Sequence, residues 1–433
     1  MGRRRKTHLL DVYVGRSRVG TYTRQANLAS AFRYHQDWLA SDRSFPISLS
    51  IPLSDRIWTG NSLAAVFDGL LPDSRTVRET IARREGADSA ATFDLLAAIG
   101  RDCVGALRFI PEGTEPGDPT TMRYRSIDDD EIASRLASLG TSPLGILTDE
   151  EDDFRISIAG MQEKTAYLLI EGWQVPQGVT PTSHIFKPAM REGPKGVDFS
   201  DSPWNEWFCL TLCRELGLPT AKAEVRNFEN KPVIIGTRFD RRWQNEILYR
   251  LPQEDMCQAF GVLPSQKYET DGGPGILEIL KLLNQSAVPR LDRLTFFKTQ
   301  IVFWLIAAID GHAKNFSVFL TPSGFSLTPL YDVMSAEPYP QLSRYKRKLA
   351  MAVGDNRHYR IAEIAPRHFY QTGSKAGITA PEIDEIFQDL CRSLEPALST
   401  ATTAAQAAGM PAPTMDAIVG GIRDRAALMT ESA

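Results

Sequence analysis

Short alternating runs of apolar and polar residues near the amino terminus predict a mixed α+β unit over residues 8–110. A period of two is typical of strands, and a glycine-containing turn separates the first two runs as in a hairpin. Elsewhere in this region the apolar residues recur every three or four positions, which is the helical period. The predicted strands are 10–14, 19–22 and 104–110, and the predicted helices are 72–84 and 92–99.

From Phe154 the apolar runs become short and closely spaced, which predicts a strand-rich region with one interrupting helix. Ser202 is a favourable N-cap, Pro203 suits the first helical turn, and Gly217 suits the residue after the last turn. These start and stop signals predict a helix from Ser202 to Glu215. The predicted strands are 154–159, 164–170, 183–187, 222–227 and 232–238.

After Arg250 the apolar period becomes helical, apart from a hairpin turned at Ser323-Gly324. A strand-rich region before a helix-rich region is typical of two-lobed, protein-kinase-like folds, which hold a nucleotide between the lobes. We therefore predict an α+β fold with an accessory subdomain over 1–150, a strand-rich ATP-binding lobe over 151–250 and a helical lobe over 251–433. The predicted elements of the last part are helices 274–283, 290–309, 382–394 and 415–429 and strands 316–320 and 325–328.

The composition is that of an ordinary globular protein of two or three domains, with 433 residues, 42% apolar and 24% charged. A formal net charge of −4 argues against a protein that coats nucleic acid with its whole surface. The five cysteines are scattered without a Cys-x-x-Cys pair, which favours buried thiols in a reducing compartment. Because no apolar run has transmembrane length and no signal peptide is recognisable, we expect a cytoplasmic protein without a membrane partner.

Three polar residues in the helix-rich region could carry the chemistry of a phosphotransferase. Asp310 and Asn315 have the D-x-x-x-x-N spacing of the kinase catalytic loop, and Asp332 follows a short hairpin. The first carboxylate can deprotonate an attacking hydroxyl, whereas the amide oxygen and the second carboxylate can hold Mg²⁺ against nucleotide phosphates. The commonest kinases have His-Arg before this Asp and an Asp-Phe-Gly after it, and both are missing here. An unrelated polar turn is the alternative.

Two features of the strand-rich region could bind the phosphates of ATP. The small-residue turn from Ser157 to Lys164 could aim backbone N–H groups at phosphate oxygens, although a plain β-hairpin has the same pattern. Lys187 ends an apolar strand, where its ammonium could neutralise phosphates or simply extend to solvent. Glu206 on the following helix could hold Lys187 extended, by analogy with the lysine–glutamate pair of kinases.

The end of the last strand before the helical region could provide the hinge that binds adenine. Thr237, Arg238 and Phe239 would offer backbone groups and an apolar ring, and the alternative for Phe239 is a place in the core. Gln253 follows the next strand, within reach of the same cleft. Hydrolase chemistries fit less well, because the six histidines include no His-x-x-x-His pair and there is no Gly-x-Ser-x-Gly elbow.

Seven stretches of the chain match sequence motifs of one protein family, namely 46–53, 70–74, 93–102, 153–165, 250–257, 268–275 and 310–319. With these stretches the chain resembles the HipA family of bacterial toxin kinases over nearly its whole length. The resemblance implies a serine/threonine kinase fold with an N-terminal accessory subdomain, Mg²⁺ and ATP as cofactors, and growth arrest leading to persistence. It implies an aminoacyl-tRNA synthetase, above all glutamyl-tRNA synthetase, as substrate. It also implies a helix-turn-helix antitoxin of the HipB type as partner, and operator DNA through it.

The resemblance also implies a role for each matching residue. Asp310 would be the catalytic base, and Asn315 and Asp332 would be the ligands of Mg²⁺. The acidic residue that the family has before Arg-Phe-Asp is Thr237 here, so adenine contacts are expected from the backbone. The residues implied to bind ATP are Ala159, Gly160, Met161, Gln162, Glu163, Lys164, Lys187, Thr237, Arg238, Phe239, His312, Lys314, Asn315, Tyr331 and Asp332, and Gln253 and Glu206 would line the site.

Ser157 matches the serine that the family autophosphorylates. A phosphate there would add about −1.5 to −2 charge beside the loop that must bind ATP phosphates, so autophosphorylation is expected to inhibit the kinase. Two alternatives remain for the function: an ATP-binding co-repressor of an antitoxin with little catalysis, and a kinase of the same fold that acts on a small molecule. The intact set of Asp310, Asn315, Asp332 and Lys187 favours a protein kinase over the co-repressor, because a binding module has no need of all four.

Overall fold

The computed structural model of the protein describes residues 8–25, 29–139, 159–160, 162–190 and 196–430. These residues divide into two units, each assembled from three stretches of the chain. The first unit comprises Met1–Lys187, Gly236–Ser265 and Val318–Gly324, and the second comprises Pro188–Ile235, Gln266–Ser317 and Phe325–Ala433. Outside the described residues lie Ser157, Met161, the domain boundary predicted at 150 and most of the strand predicted at 154–159. The three-part domain division therefore stays a prediction.

The regular elements of the described residues are numbered in chain order. The strands are β1 (Leu9–Val14), β2 (Ser17–Arg24), β3 (Ser30–Tyr34), β4 (Trp58–Thr59), β5 (Leu107–Pro111), β6 (Arg123–Ser126), β7 (Thr165–Leu169), β8 (Trp173–Gln177), β9 (His184–Pro188), β10 (Ala223–Phe228), β11 (Lys231–Thr237), β12 (Arg241–Gln244), β13 (Ile247–Arg250), β14 (Gln253–Asp255), β15 (Ser317–Thr321), β16 (Gly324–Leu327), β17 (Lys348–Val353) and β18 (His358–Arg360). The helices are α1 (Gln36–Leu39), α2 (Asn61–Asp68), α3 (Arg75–Arg84), α4 (Thr92–Ile99), α5 (Asp129–Ser138), α6 (Ser202–Glu215), α7 (Met256–Phe260), α8 (Ile276–Leu283), α9 (Pro289–Ile306), α10 (Pro366–Lys375), α11 (Ala380–Ala408) and α12 (Ala412–Thr430).

The first unit contains an antiparallel amino-terminal sheet, part of a second sheet and the antiparallel β12–β13 hairpin. The amino-terminal sheet has the order β4-β3-β2-β1-β5, and the predicted hairpin of β1 and β2 lies inside it. Within the second sheet, four strands of this unit follow the order β9-β7-β8-β6. Strand β8 was not predicted, because it is short and contains Pro176, a residue that disfavours strands. It forms nonetheless, since it pairs with both β6 and β7.

An aromatic cluster fills the core of the amino-terminal region. The ring of Tyr22 lies 4.4 Å from that of Phe67 and 5.1 Å from that of Phe93. Phe109 from β5 meets Phe67 edge-on at 5.2 Å. Aromatic pairs of this geometry add about 0.5–1.5 kcal/mol each beyond the area they bury. The predicted α4 is confirmed, and it contributes Phe93 to this cluster.

Helix α9 is the centre of the second unit, as its length and apolar pattern predict. Phe296 and Trp304 are completely buried. The helix ends at Ile306, before the predicted end at Ile309, because Ala307 takes the left-handed conformation with φ of +53°. The abrupt end turns the chain into the segment that contains Asp310.

Helix α6 has the predicted bounds and fixes the segment that follows Asp332. The side chain of Asn205 is buried in α6, and its Nδ2 donates to the Ser335 carbonyl at 2.8 Å. Its Oδ1 accepts from the Ser335 N–H at 2.9 Å. This reciprocal pair ties the helix to the chain just beyond the second candidate carboxylate.

Helix α11 extends well past the predicted end at residue 394 and reaches Ala408. Its buried face continues through Leu398 and Ala401, and the helix accommodates Pro396 in its interior. None of the helices in the described part of the chain is long and apolar enough to cross a membrane.

Candidate active site

The loop from Asp310 to Asn315 is closed by its own hydrogen bonds. The Asp310 carbonyl accepts from the His312 N–H at 2.8 Å and from Asn315 Nδ2 at 2.8 Å. The Asn315 N–H donates to the His312 carbonyl at 2.9 Å. The D-x-x-x-x-N spacing therefore has a structural reason, since a residue five positions after the Asp reaches back to its main chain. With its amide nitrogen bound, Asn315 keeps its carbonyl oxygen as the atom for a cation.

The carboxylate of Asp310 is oriented by Tyr268, a residue that no local sequence pattern singles out. The Tyr268 hydroxyl donates a short hydrogen bond to Asp310 Oδ1. Burial raises the pKa of Tyr268 well above its ordinary value, and the charge of Asp310 raises it further, so the hydroxyl remains a donor at neutral pH. The Asp310 side chain is still 58% exposed, which leaves it accessible to an incoming hydroxyl group.

His312 lies next to this carboxylate as a buried, neutral ring. Its Nε2 is 3.6 Å from Asp310 Oδ1, and its ring meets that of Tyr268 edge-on at 5.0 Å. Burial lowers the pKa of His312 below its ordinary value, against the opposing effect of Asp310. Within the described residues neither ring nitrogen has a hydrogen-bond partner. An unpartnered buried polar ring is consistent with a residue that lines a ligand site.

Asp332 is brought to the same loop by the tyrosine before it. The Tyr331 hydroxyl donates to the Lys314 carbonyl at 2.8 Å and lies 2.5 Å from the Ser317 hydroxyl. Asp332 itself has a left-handed backbone with φ of +59°, and its charge acts on His312. Left-handed residues other than glycine are uncommon and cluster at functional sites.

The chemistry of these groups suits Mg²⁺. One amide oxygen and one carboxylate, with the remaining positions taken by water and phosphate oxygens, is the usual protein share of a Mg²⁺ site in phosphotransferases. In the described residues there is no group of three or more His, Cys, Asp or Glu side chains that could hold a metal by itself. The pair Asn315 and Asp332 therefore fits a cation that is shared with a nucleotide.

The candidate phosphate-binding residues lie in the first unit. Lys164 is buried, and its Nζ donates to the Ala159 carbonyl at 2.8 Å. Gly160 has φ of +107°, and a Cβ at that position would lie 2.7 Å from Lys164 Nζ. Gln162 and Glu163 are half-buried, and Lys187 is half-buried near the end of β9. Gly160 therefore has a backbone conformation that favours glycine.

The predicted hinge residues differ in what their side chains contact. Thr237 is exposed, and Phe239 is half-buried, with its ring edge-on to Phe319 at 6.0 Å. Arg238 is buried, and its guanidinium donates to the Asp240 carboxylate at 2.7 Å and to the Thr182 hydroxyl at 2.9 Å. Its side chain is engaged inside the protein, and its backbone N–H donates to the Ser183 carbonyl at 2.9 Å.

Arg238 belongs to a buried ion network that the sequence analysis missed. Asp102 accepts from Arg241 at 2.9 Å and from Arg250 at 2.8 Å. Burial alone would raise the pKa of the Asp102 carboxyl, but Arg241, Arg250 and Arg238 hold it well below its ordinary value. Asp240 accepts from the Gly105 N–H at 2.8 Å. The network joins the chain near residue 102 to the hinge segment, and the charged run after Phe239 was its signal in the sequence.

The two remaining candidates lie in different units. Gln253 begins β14 in the first unit, and its Oε1 is buried without a hydrogen-bond partner among the described residues. Glu206 is buried in α6 of the second unit. The predicted pairing of Glu206 with Lys187 stays a prediction.

Comparison with known proteins identifies the family. The HipA N-terminal domain matches residues 10–110, and the HipA-like C-terminal domain matches residues 156–398, which is more than half of the chain. The chain belongs to the HipA family. The expected resemblance is thereby confirmed, with the two matches on either side of residues 111–155.

Similar proteins are named kinases. A protein of Sinorhizobium fredii named "Putative kinase Y4mE" is 32% identical over 90% of this HipA-family chain and 91% of its own length. The "Serine/threonine-protein kinase toxin HipA" of Shewanella oneidensis is 29% identical over 81% of this chain and 79% of its own. The solved complex of Shewanella oneidensis HipA with HipB and its operator DNA contains a chain that matches with a TM-score of 0.79. That match has 24% identity and covers 98% of both chains. The expected α+β, kinase-like HipA fold is confirmed.

Proposed function

We propose that this protein is an ATP-dependent serine/threonine protein kinase of the toxin type. The observation that carries the proposal is the closed loop from Asp310 to Asn315, in which the exposed Asp310 carboxylate is oriented by the neutral hydroxyl of Tyr268. An unrelated polar turn has no need of a carboxylate that is oriented and yet accessible. Membership of the HipA family and the names of its relatives support the same activity.

In the proposed reaction, Asp310 accepts the proton of a serine or threonine hydroxyl. The hydroxyl oxygen forms a bond to the γ-phosphorus of ATP, the bond from that phosphorus to the β–γ bridging oxygen breaks, and ADP leaves. Tyr268 holds the carboxylate in one orientation without competing for the proton, because its own hydroxyl stays protonated. A positioned base of this kind contributes about 10²–10⁴-fold to a reaction rate.

Asn315 Oδ1 and the Asp332 carboxylate would hold Mg²⁺. The cation would neutralise charge on the β- and γ-phosphates. Tyr331 keeps the two ligands together, since it bonds to the Lys314 carbonyl next to Asn315 and directly precedes Asp332.

We propose the following roles in nucleotide binding. The turn from Ala159 to Lys164 and the ammonium of Lys187 are proposed to bind phosphates. The backbone of Thr237 to Phe239 and the side chain of Gln253 are proposed to contact the rest of the nucleotide, with His312 and Lys314 next to the reacting groups. The glycine-requiring geometry at Gly160 and the unpartnered Gln253 Oε1 support these roles.

We further infer a biological role as a growth-arresting toxin. Its substrate would be an aminoacyl-tRNA synthetase, and glutamyl-tRNA synthetase is the first candidate. Its partner would be a helix-turn-helix antitoxin that binds operator DNA. The name of the Shewanella relative and the composition of the solved complex support the toxin and the antitoxin. Autophosphorylation of Ser157 would switch the kinase off, because phosphate charge would compete with ATP.

The test is labelling of a host lysate and of purified glutamyl-tRNA synthetase with γ-³²P-labelled ATP and Mg²⁺. Wild type is compared with Asp310→Asn. Asp424→Asn is the control, because the carboxylate of Asp424 in α12 is exposed. Wild type and the control should label one protein band, and Asp310→Asn should not. Equal labelling by all three would overturn the kinase assignment. ATP turnover with no labelled protein would instead favour a small-molecule substrate, and ATP binding without turnover would favour the co-repressor.

A further inference from the structure

The amino-terminal residues 10–110, called the accessory region below, contact the candidate phosphate loop, Ala159–Lys164, at Gly160. Pro72 forms a parallel β-bridge with Gly160, and the Asp73 N–H donates to the Gly160 carbonyl at 3.1 Å. Both Pro72 and Asp73 belong to the Leu70–Ser74 stretch, which lies between α2 and α3. This backbone bridge fixes the position and the direction of the loop at Gly160.

Gly160 is constrained from its other side as well. Its φ of +107° is available to glycine alone without strain, and Lys164 closes the turn by its bond to the Ala159 carbonyl. The loop residue is therefore held between Lys164 and the Pro72–Asp73 segment. Its position depends on how firmly that segment is itself held.

Arg78 of α3 holds the segment. Its Nε donates to the Pro72 carbonyl, and its two terminal nitrogens donate to the Asp68 carboxylate at 2.6 and 3.1 Å. The Thr92 hydroxyl donates to the same carboxylate at 2.6 Å. The side chain of Arg78 is only 14% exposed, and a fork of this geometry to a carboxylate is among the strongest hydrogen-bonded pairs in proteins.

We propose that Arg78, held by Asp68, is a positioning residue through which the accessory region sets the phosphate loop for ATP. It does not touch the nucleotide, and it acts through Pro72, Asp73 and Gly160. This inference rests on the proposed role of the Ala159–Lys164 turn in binding ATP phosphates. It gives the accessory region a function in the reaction beyond completing the fold.

The first measurement is the affinity for ATP and the split between KM and kcat. In Arg78→Ala the KM and the Kd for ATP should rise roughly tenfold, while kcat at saturating ATP stays within about threefold, because binding common to ground and transition states is lost. Arg78→Lys keeps the charge but not the fork, so its KM should be intermediate. Arg75→Ala is the matched control, since that arginine lies on the same helix with a 91% exposed side chain and should change neither constant.

A second variant keeps the inference testable if Arg78→Ala does not fold. Asp68→Asn leaves Arg78 in place and weakens its anchor, so it should raise the Kd for ATP by a smaller factor without changing kcat. Folded Arg78→Ala and Asp68→Asn proteins with the wild-type Kd would overturn the inference, even if wild type transfers phosphate as proposed. If Asp310→Asn labels as well as wild type, the proposed function fails, and the Kd comparison still decides the role of Arg78.

Discussion

The candidate catalytic loop and the residues of the first unit proposed to bind nucleotide are held in place by different kinds of contact. Asn315 bonds to the Asp310 carbonyl only five positions away. In the first unit, Asp102 accepts from Arg241 across 139 positions, and the Gly160 carbonyl accepts from the N–H of Asp73. Asp310 and Asn315 are thus arranged by local spacing, with Tyr268 added from 42 positions away. The groups proposed to bind ATP are arranged mainly by contacts between distant parts of the chain.

This difference predicts two kinds of mutational effect. Substitutions of Asp310, Tyr268 or Asp332 should change the rate of phosphoryl transfer and leave stability almost unchanged, since the loop keeps its closing hydrogen bonds at Asn315. Substitutions in the long-range contacts should change the free energy of unfolding or the affinity for ATP. Each of the following predictions could contradict this division between effects on the rate and effects on stability or affinity.

The largest effect is expected from Asp332→Asn. Asparagine tolerates the left-handed backbone at this position as well as aspartate does, so the fold should survive. Loss of a charged Mg²⁺ ligand should reduce transfer at saturating ATP by roughly a thousandfold. ADP release over a Mg²⁺ titration measures it, alongside thermal unfolding. Activity within about threefold of wild type would remove Asp332 from the proposed site.

The next effect is on stability, from Asp102→Asn. Removing this charge leaves the buried Arg238 and Arg241 and the part-buried Arg250 without one of their partners, which should cost about 3–5 kcal/mol of unfolding free energy. Urea unfolding measures the change. Asp118→Asn is the control, because Asp118 pairs with Arg16 at the surface and should leave the unfolding midpoint almost unchanged. Equal stability of wild type and Asp102→Asn would contradict the division.

A third prediction concerns pH and the buried carboxyl of Glu254, which accepts from the Leu49 N–H across 205 positions. Burial raises the pKa of Glu254 to about 8. Because this exceeds the value of about 4.3 in the unfolded chain, the carboxyl favours the folded state fully below about pH 4. That contribution falls as pH rises towards 8, by at most about 1.4 kcal/mol per pH unit.

Glu254→Gln should remove this pH dependence while keeping an acceptor for Leu49. The measurement is urea unfolding of both proteins between pH 5 and pH 8.5. The variant should gain stability relative to wild type as pH increases. Parallel curves for the two proteins would show that Glu254 does not titrate in this range.

The smallest effect is expected from Tyr268→Phe, which removes the hydroxyl that donates to Asp310. The net worth of one hydrogen bond is about 0.5–1.5 kcal/mol, so kcat should fall roughly threefold to tenfold. The KM for ATP and the melting temperature should stay near wild type. A kcat equal to that of wild type would show that the Tyr268 hydroxyl does not help Asp310.

The sequence predicted well where the signals are local. The bounds of α4 and α6 follow from the apolar period and the glycine after each helix, although the N-cap of α6 is Asp201 and not the predicted Ser202. The roles of Asp310, Asn315 and Asp332, which were singled out by spacing, stay predictions. The early end of α9 was not predicted, because an alanine does not indicate the left-handed conformation that Ala307 adopts.

Contacts between distant residues were beyond local patterns. Nothing near Tyr268 indicates that its hydroxyl reaches a carboxylate 42 positions later, and its only signal was its place in a stretch shared with the HipA family. The charges of Asp102 and Arg241 were likewise visible, but their pairing depends on the fold of the whole first unit. Strand β8 was missed for the same reason, since its partners rather than its residues make it a strand.

The most direct test of the central claim is to measure ATP binding and phosphoryl transfer on the same preparation of Asp310→Asn. The predicted result is a Kd for ATP within about threefold of wild type, with transfer reduced about 10²–10⁴-fold, because the residue acts on the hydroxyl and not on the nucleotide. Transfer at the wild-type rate by a folded, ATP-binding Asp310→Asn protein would contradict the claim that Asp310 is the catalytic base.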